Sequence, residues 1–148
     1  MFKTILVPVD GSRHGDHAVD VAVDLAKHHG SNLLLVHVIR PWSLPKEIID
    51  MIKAGEVNQS RQEIMQQSAE IILESTQRRC QEAGLPATSA ETVTGDPATL
   101  IEEYAQAKNV DLIIMGHSGL EAGAHPNLLG GVARKLVNIS SKSCLIVR

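Results

Sequence analysis

"TILVPVDGSRHG", residues 4–15, runs through an unbroken apolar stretch at 4–9 and drops at once into Asp10-Gly11-Ser12. A strand with one face in water would alternate polar and apolar residues. This run does not, so it reads as a strand buried on both faces, the habit of parallel sheets. Three more runs share that character: "LLLVHVI" at 33–39, "DLIIM" at 111–115 and "CLIVR" at 144–148. A weaker one, "TSAETVT" at 88–94, alternates more and carries few large apolar side chains, which places it at an edge.

Helical periodicity fills the intervals. Over 16–29, Ala18, Ala22, Leu25 and Ala26 recur at spacings of three and four, with Val19 and Val23 widening the face and Gly30 as the stop. A long polar segment from about 57 to 83 carries Ile64, Ile71 and Ile72 as its apolar positions, and Gly84 ends it. Asp96-Pro97 reads as an N-cap followed by proline at the first helical position. Leu100, Ile101, Tyr104 and Ala105 then give the buried face. A last helix over about 131–140 turns Val132, Ala133, Leu136 and Val137 inward. Residues 41–55, "PWSLPKEIIDMIKAG", are the least regular and read as a loop with a short helical piece, a candidate flap. Strands and helices therefore alternate from end to end. The expected fold is a single α/β domain over 1–148, a doubly wound parallel sheet of five strands with helices on both faces.

The totals agree with one aliphatic core. The chain has 148 residues, 43% of them apolar, with one Phe, one Trp and one Tyr. A formal charge of −3 leaves no electrostatic footprint for nucleic acid or an anionic membrane. No apolar run approaches the roughly 20 residues of a bilayer span. The N-terminal apolar segment is too short for a secretory signal and Asp10 interrupts it, so the expected compartment is the cytoplasm. Cys80 and Cys144 match no metal or redox spacing.

In open α/β sheets ligands sit at the carboxyl ends of strands, where the strand order reverses. Here that points to "VPVDGSRHG" at 7–15, to "HVIRPW" at 37–42, and to "MGHSGLEAGAHPNLLGGV" at 115–132. The last stretch has glycines at 116, 119, 123, 130 and 131. Glycine lets a backbone N–H approach an anion, and the free N–H groups of the helix opening near Gly131 point the same way. So long a connection in a compact domain is usually functional or disordered, and a glycine-rich surface loop is the plain alternative. Asp10 at the end of the first strand suits a ribose hydroxyl or a phosphate-bound Mg²⁺, with a turn or helix cap as its alternative.

Taken together, "ILVPVDGS", "LLLVHVI", "VTGDPATLI", "DLIIMGHSG" and "CLIVR" resemble the universal stress protein family over nearly the whole chain. The resemblance implies a sheet of order 3-2-1-4-5, similar to the adenine nucleotide alpha hydrolases, usually in a homodimer. One branch of the family binds ATP through G-x2-G-x9-G-(S/T). Here Gly116-His117-Ser118-Gly119 matches the first half. Ten residues, 120–129, then precede Gly130, one more than the signature, and Gly131 replaces its hydroxyl residue. The resemblance implies that Gly116, Gly119 and Gly130 approach ribose and phosphates, that Pro8, Val9 and Asp10 border the adenosine, and that Val38 meets adenine through its backbone. Met115 and Val132 would line the pocket, and Ser118 and Gly131 would offer their own donors. Gly131 retains a backbone N–H but lacks a hydroxyl whose bond to a phosphate is often worth about 1.5–3 kcal/mol. His125 is read as exposed.

Two functions are thus expected to compete. The first is a cytoplasmic stress-response or regulatory protein binding an adenine nucleotide, ATP foremost, with Mg²⁺ on the phosphates near Asp10. No paired carboxylates and no P-loop lysine suggest fast catalysis, so slow ATP hydrolysis is the most expected of it. The second is a dimeric interaction module of the same family without nucleotide. A metal site on His14 and His17, at i and i+3, is the weakest reading, because no further ligand accompanies them. For dimerisation the candidate is the last strand, Cys144 to Arg148, whose edge needs covering.

Overall fold

The computed structural model describes residues 1–40, 46–55, 61–119 and 127–148. Its elements are β1 (Thr4–Pro8), α1 (Arg13–His29), β2 (Asn32–Ile39), α2 (Lys46–Lys53), α3 (Arg61–Glu82), β3 (Ser89–Thr94), α4 (Pro97–Ala107), β4 (Leu112–Gly116), α5 (Gly131–Ile139) and β5 (Ser143–Val147). The five strands form one parallel sheet in the order β3-β2-β1-β4-β5. The order reverses between β1 and β4 and β3 and β5 are the edges, as the family resemblance implies; the weak alternation of 88–94 by itself places β3 at an edge.

The continuous apolar runs are explained by the two faces of the sheet. Ile5, Val7, Val9, Leu33, Leu35, Leu112 and Ile114 share one core with Ala18, Val19, Ala22, Val23 and Ala26 of α1 and with Leu73 and Cys80 of α3. The alternate residues Leu6, Leu34, Val36, Ile113 and Met115 enter a second core with α4 and α5. Each strand position is therefore apolar whichever way it points. Complete burial of one such side chain contributes about 1.5–3 kcal/mol.

Local chemistry sets the helix ends. The Ser12 hydroxyl accepts from Gly15 N–H, so α1 begins three residues earlier than periodicity alone suggests. Gly30 stops it in the left-handed conformation, φ 66°. Asp96 accepts from the Thr99 N–H and hydroxyl, with Pro97 behind it, so that cap is as expected. Two inward assignments fail. Ile71 is 66% exposed, because α3 packs through the stripe Ala69, Leu73, Thr76 and Cys80, which leaves Ile71 on the outer side. Val137 is also exposed; Ala133 and Leu136 alone bury α5. Leu25 and Leu100 are only partly buried. The flap assignment covers residues 41–45, which lie outside the described residues, and α2; the start assigned to the long helix, near 57, also lies outside them.

One polar knot ties α4 to the turn between α5 and β5. The Glu102 carboxylate is 7% exposed and accepts from Ser140 Oγ, from Ser141 N–H and Oγ, and from Gln106 Nε2. Burial pushes its pKa up, but the four hydrogen bonds together outweigh burial and bring it to about 2. Among the described residues no helix is long and apolar enough to cross a membrane.

Candidate functional site

The ends of β1 and β4 meet at the switch point. Beyond β1, Val9 N–H donates to Val36 O and Val9 O accepts from His37 Nδ1 at 2.7 Å, so the strand end is fixed against β2. A carbonyl only accepts, so His37 carries its hydrogen on Nδ1. Asp10 follows. Its Oδ1 accepts from Ser12 N–H at 2.9 Å, which makes the turn into α1. The turn reading of Asp10 thus holds: one oxygen shapes the turn, and the other lies beside the segment after β4. A Cβ built on Gly119 would lie 2.5 Å from Asp10 Oδ2.

The glycines after β4 differ in what their missing side chains permit. A Cβ on Gly116 would lie 2.7 Å from His14 C, 2.8 Å from His14 Cβ and 2.9 Å from Gly15 N. Gly116 thus has a packing reason of its own: it lets α1 approach β4. A Cβ on Gly130 would lie 3.0 Å from Ser118 Cα and 3.2 Å from His117 O. Gly130 N–H donates to that same oxygen at 2.8 Å, so the two ends of the long connection touch. Among the described residues, a Cβ on Gly131 would meet nothing within 4 Å beyond its chain neighbours and its own helix backbone. Gly130 caps α5 without a side-chain hydrogen bond, and no acidic residue occupies the first turn. Among the described residues, the N-terminus of α5 thus has neither a side-chain cap from Gly130 nor an acidic residue in its first turn to offset its partial positive charge.

The apolar candidates fall together as well. Met115 is buried in the core beneath α4 and α5, and Val38 and Val132 pack against that core partly exposed. Pro8 is half-buried beside Val36, whereas the Val9 side chain belongs to the opposite core and its N–H and C=O are engaged by Val36 and His37. His125, Gly123 and most of the ten-residue spacer lie outside the described residues.

Sequence reading treated His14 and His17 as a pair, but they have separate partners. His14 Nδ1 lies 2.6 Å from Ser118 Oγ and 3.3 Å from Ser118 O, while His17 Nδ1 lies 3.1 Å from Arg148 O. Among the described residues no group of three or more His, Cys, Asp or Glu could hold a metal ion. His117, buried, stacks edge-on to His14 with ring centroids 6.0 Å apart. Burial holds its imidazole below the ordinary histidine range, and Arg148 and His14 add to that. The contact between His14 and Ser118 was missed by sequence reasoning, because 104 residues separate them and neither falls in a recognisable motif with the other.

The Asp-Gly-Ser turn after β1 and the glycines that follow β4 lie where the strand order reverses, which is where open α/β sheets hold their ligands. The family profile described as the universal stress protein family matches residues 1–148, and the chain belongs to that family. It is 33% identical over 153 residues to universal stress protein YxiE of Bacillus subtilis, with 100% of both chains covered. Its fold is similar to that of UspA from Lactobacillus plantarum (TM-score 0.77, 24% identity, 99% and 98% of the two chains). It is similar to a universal stress protein solved in complex with cAMP (TM-score 0.71, 24% identity, 99% and 97%). Two further similar structures hold dAMP, in the protein from Archaeoglobus fulgidus (TM-score 0.63, 17% identity, 100% and 98%), and AMP, in one from Arabidopsis thaliana (TM-score 0.65, 18% identity, 98% and 90%). Related proteins are thus crystallised with adenine nucleotides.

Proposed function

We propose that this protein is a regulatory adenine-nucleotide-binding protein, with ATP as its preferred ligand. The observation that carries the reading is the rim formed where Gly130 N–H meets His117 O beneath the uncapped N-terminus of α5, opposite Asp10. Phosphates would take the free N–H groups of Gly131, Val132 and Ala133. The Gly116–Gly119 turn would run along the ribose, and adenine would lie towards Val38. The Asp10 carboxylate faces the same space and would repel a bare triphosphate, so Mg²⁺ would bridge the two. Nothing in this set activates a water strongly, so the reading is of binding, with slow hydrolysis at most, in the cytoplasm. Ligands of similar universal stress proteins support the adenine class. The test is mass spectrometry of nucleotide released from the purified protein, followed by calorimetry with Mg-ATP. Absence of retained nucleotide together with no heat at millimolar ATP would favour the interaction module instead.

A homodimer through β5 belongs to either reading. β5 is an edge strand, and Leu145, Val137 and Ile139 around it are exposed. Pairing with a second copy would cover both the open backbone edge and these side chains.

A further inference from the structure

We propose that His14 is a positioning residue of the phosphate site, which turns the Ser118 hydroxyl into a hydrogen-bond donor for the bound phosphate. The inference rests on the nucleotide-binding reading above and adds a residue and a proton to it. Two contacts carry it. His14 Nδ1 is 2.6 Å from Ser118 Oγ and 3.3 Å from Ser118 O. The carbonyl can only accept, so one arrangement serves both contacts: the hydrogen sits on Nδ1. Ser118 Oγ then accepts from His14 and keeps its own hydrogen for a second acceptor. In the opposite tautomer Ser118 would spend that hydrogen on His14 and present lone pairs, which repel an anion.

Position makes the second acceptor a phosphate oxygen. Ser118 borders both ends of the glycine-rich connection, since a Cβ on Gly130 would lie 3.0 Å from its Cα. Gly131, at the helix start, has no hydroxyl to offer. Ser118 supplies one from the opposite rim, and α1 supplies the imidazole that aims it. His14 itself stands on the first turn of α1, held close to β4 by the bare Gly116.

From the end of β4 the His117 ring packs edge-on against His14, with centroids 6.0 Å apart, and this contact restricts the orientations open to the imidazole.

The experiment is calorimetry with Mg-ATP on the wild type, Ser118→Ala, His14→Ala, the double variant and His14→Asn. Asparagine places an amide N–H near the position of Nδ1. Wild-type binding is measured first; no binding at millimolar ATP overturns the underlying reading and this inference with it. Given binding, Ser118→Ala and His14→Ala should each weaken it roughly ten- to hundredfold, the range for a hydrogen bond to a charged group. The double variant should be no weaker than the weaker single one, and His14→Asn should keep most of the affinity. Wild-type affinity in His14→Ala, multiplied penalties in the double variant, or a loss in His14→Asn as large as in His14→Ala each overturn the inference while leaving nucleotide binding intact. If His14→Ala does not fold, His14→Asn decides alone, and a loss equal to that of Ser118→Ala overturns the inference.

Discussion

Replacement of Gly116 by alanine separates packing from ligand approach. The new Cβ would meet His14 C at 2.7 Å, His14 Cβ at 2.8 Å and Gly15 N at 2.9 Å. Non-bonded carbon atoms rest near 3.5–4.0 Å, so the overlap is about 1 Å. Two of the three atoms are backbone, which no rotamer change can move. Either α1 lifts from β4 or the end of β4 twists, and both strain a core that holds Ala18, Val19 and Ala22 fully buried. Overpacking of this kind costs about 1–3 kcal/mol, and the backbone contacts put Gly116→Ala at the upper end, near 3 kcal/mol. A domain of this length loses roughly 2–4 °C of Tm per kcal/mol, so the expected fall is about 6–12 °C. Gly131→Ala is the control. Among the described residues its new Cβ would meet nothing within 4 Å beyond its chain neighbours and its own helix, and alanine is the better helix former, so Tm should hold or rise slightly. Both are read by thermal unfolding followed by circular dichroism, without nucleotide. A Gly116→Ala protein melting within about 2 °C of wild type, under that same conversion, would refute the packing argument and return Gly116 to a ligand-only role.

Three further outcomes are expected. Glu102 has a folded-state pKa of about 2 against an ordinary 4.5, so its contribution is fully present above pH 4.5 and is lost as pH falls towards 2. The size is about 3 kcal/mol, so urea unfolding of Glu102→Gln at neutral pH should show a loss of that order and a flatter acid limb; an unchanged acid limb would contradict it. Gly131→Ser restores a hydroxyl in open space, and calorimetry should show about tenfold tighter ATP binding; weaker binding would mean that the N-terminus of α5 does not face the phosphates. Leu145→Lys places a charge on the exposed edge and should give a folded monomer by light scattering, whereas a dimer that persists would move the interface elsewhere. Ile146→Pro is the poorer test, since Ile146 pairs with Met115 and packs on the core, so it would damage the sheet itself.

The sheet was legible because four of its strands carry nearly continuous apolar runs, a pattern that two covered faces explain. Leu6 and Val7 point opposite ways and both are fully buried. The inner stripe of α3 was not legible. It is built from Ala69, Thr76 and Cys80 as much as Leu73, and small or polar side chains give no periodic signal against the conspicuous but exposed Ile71. The turn residues after β1 and β4 were legible in the chain, while the meeting of those two strand ends followed only from the sheet order that the family resemblance implies. The division of labour among the site's glycines was not legible, since whether a missing Cβ faces a helix or open space depends on atoms more than 100 residues away. For the same reason sequence reading did not connect His14 with Ser118.

His117 joins the molecule's last strand to its candidate cradle through a single residue. Its N–H donates to Val147 O at 2.7 Å and its C=O accepts from Gly130 N–H at 2.8 Å. Only the φ and ψ of one residue separate the two bonds, so a displacement of the end of β5 that keeps both must be taken up there or passed to the rim of the cradle. By thermodynamic reciprocity, a ligand that draws on that rim shifts the edge strand by the same free energy.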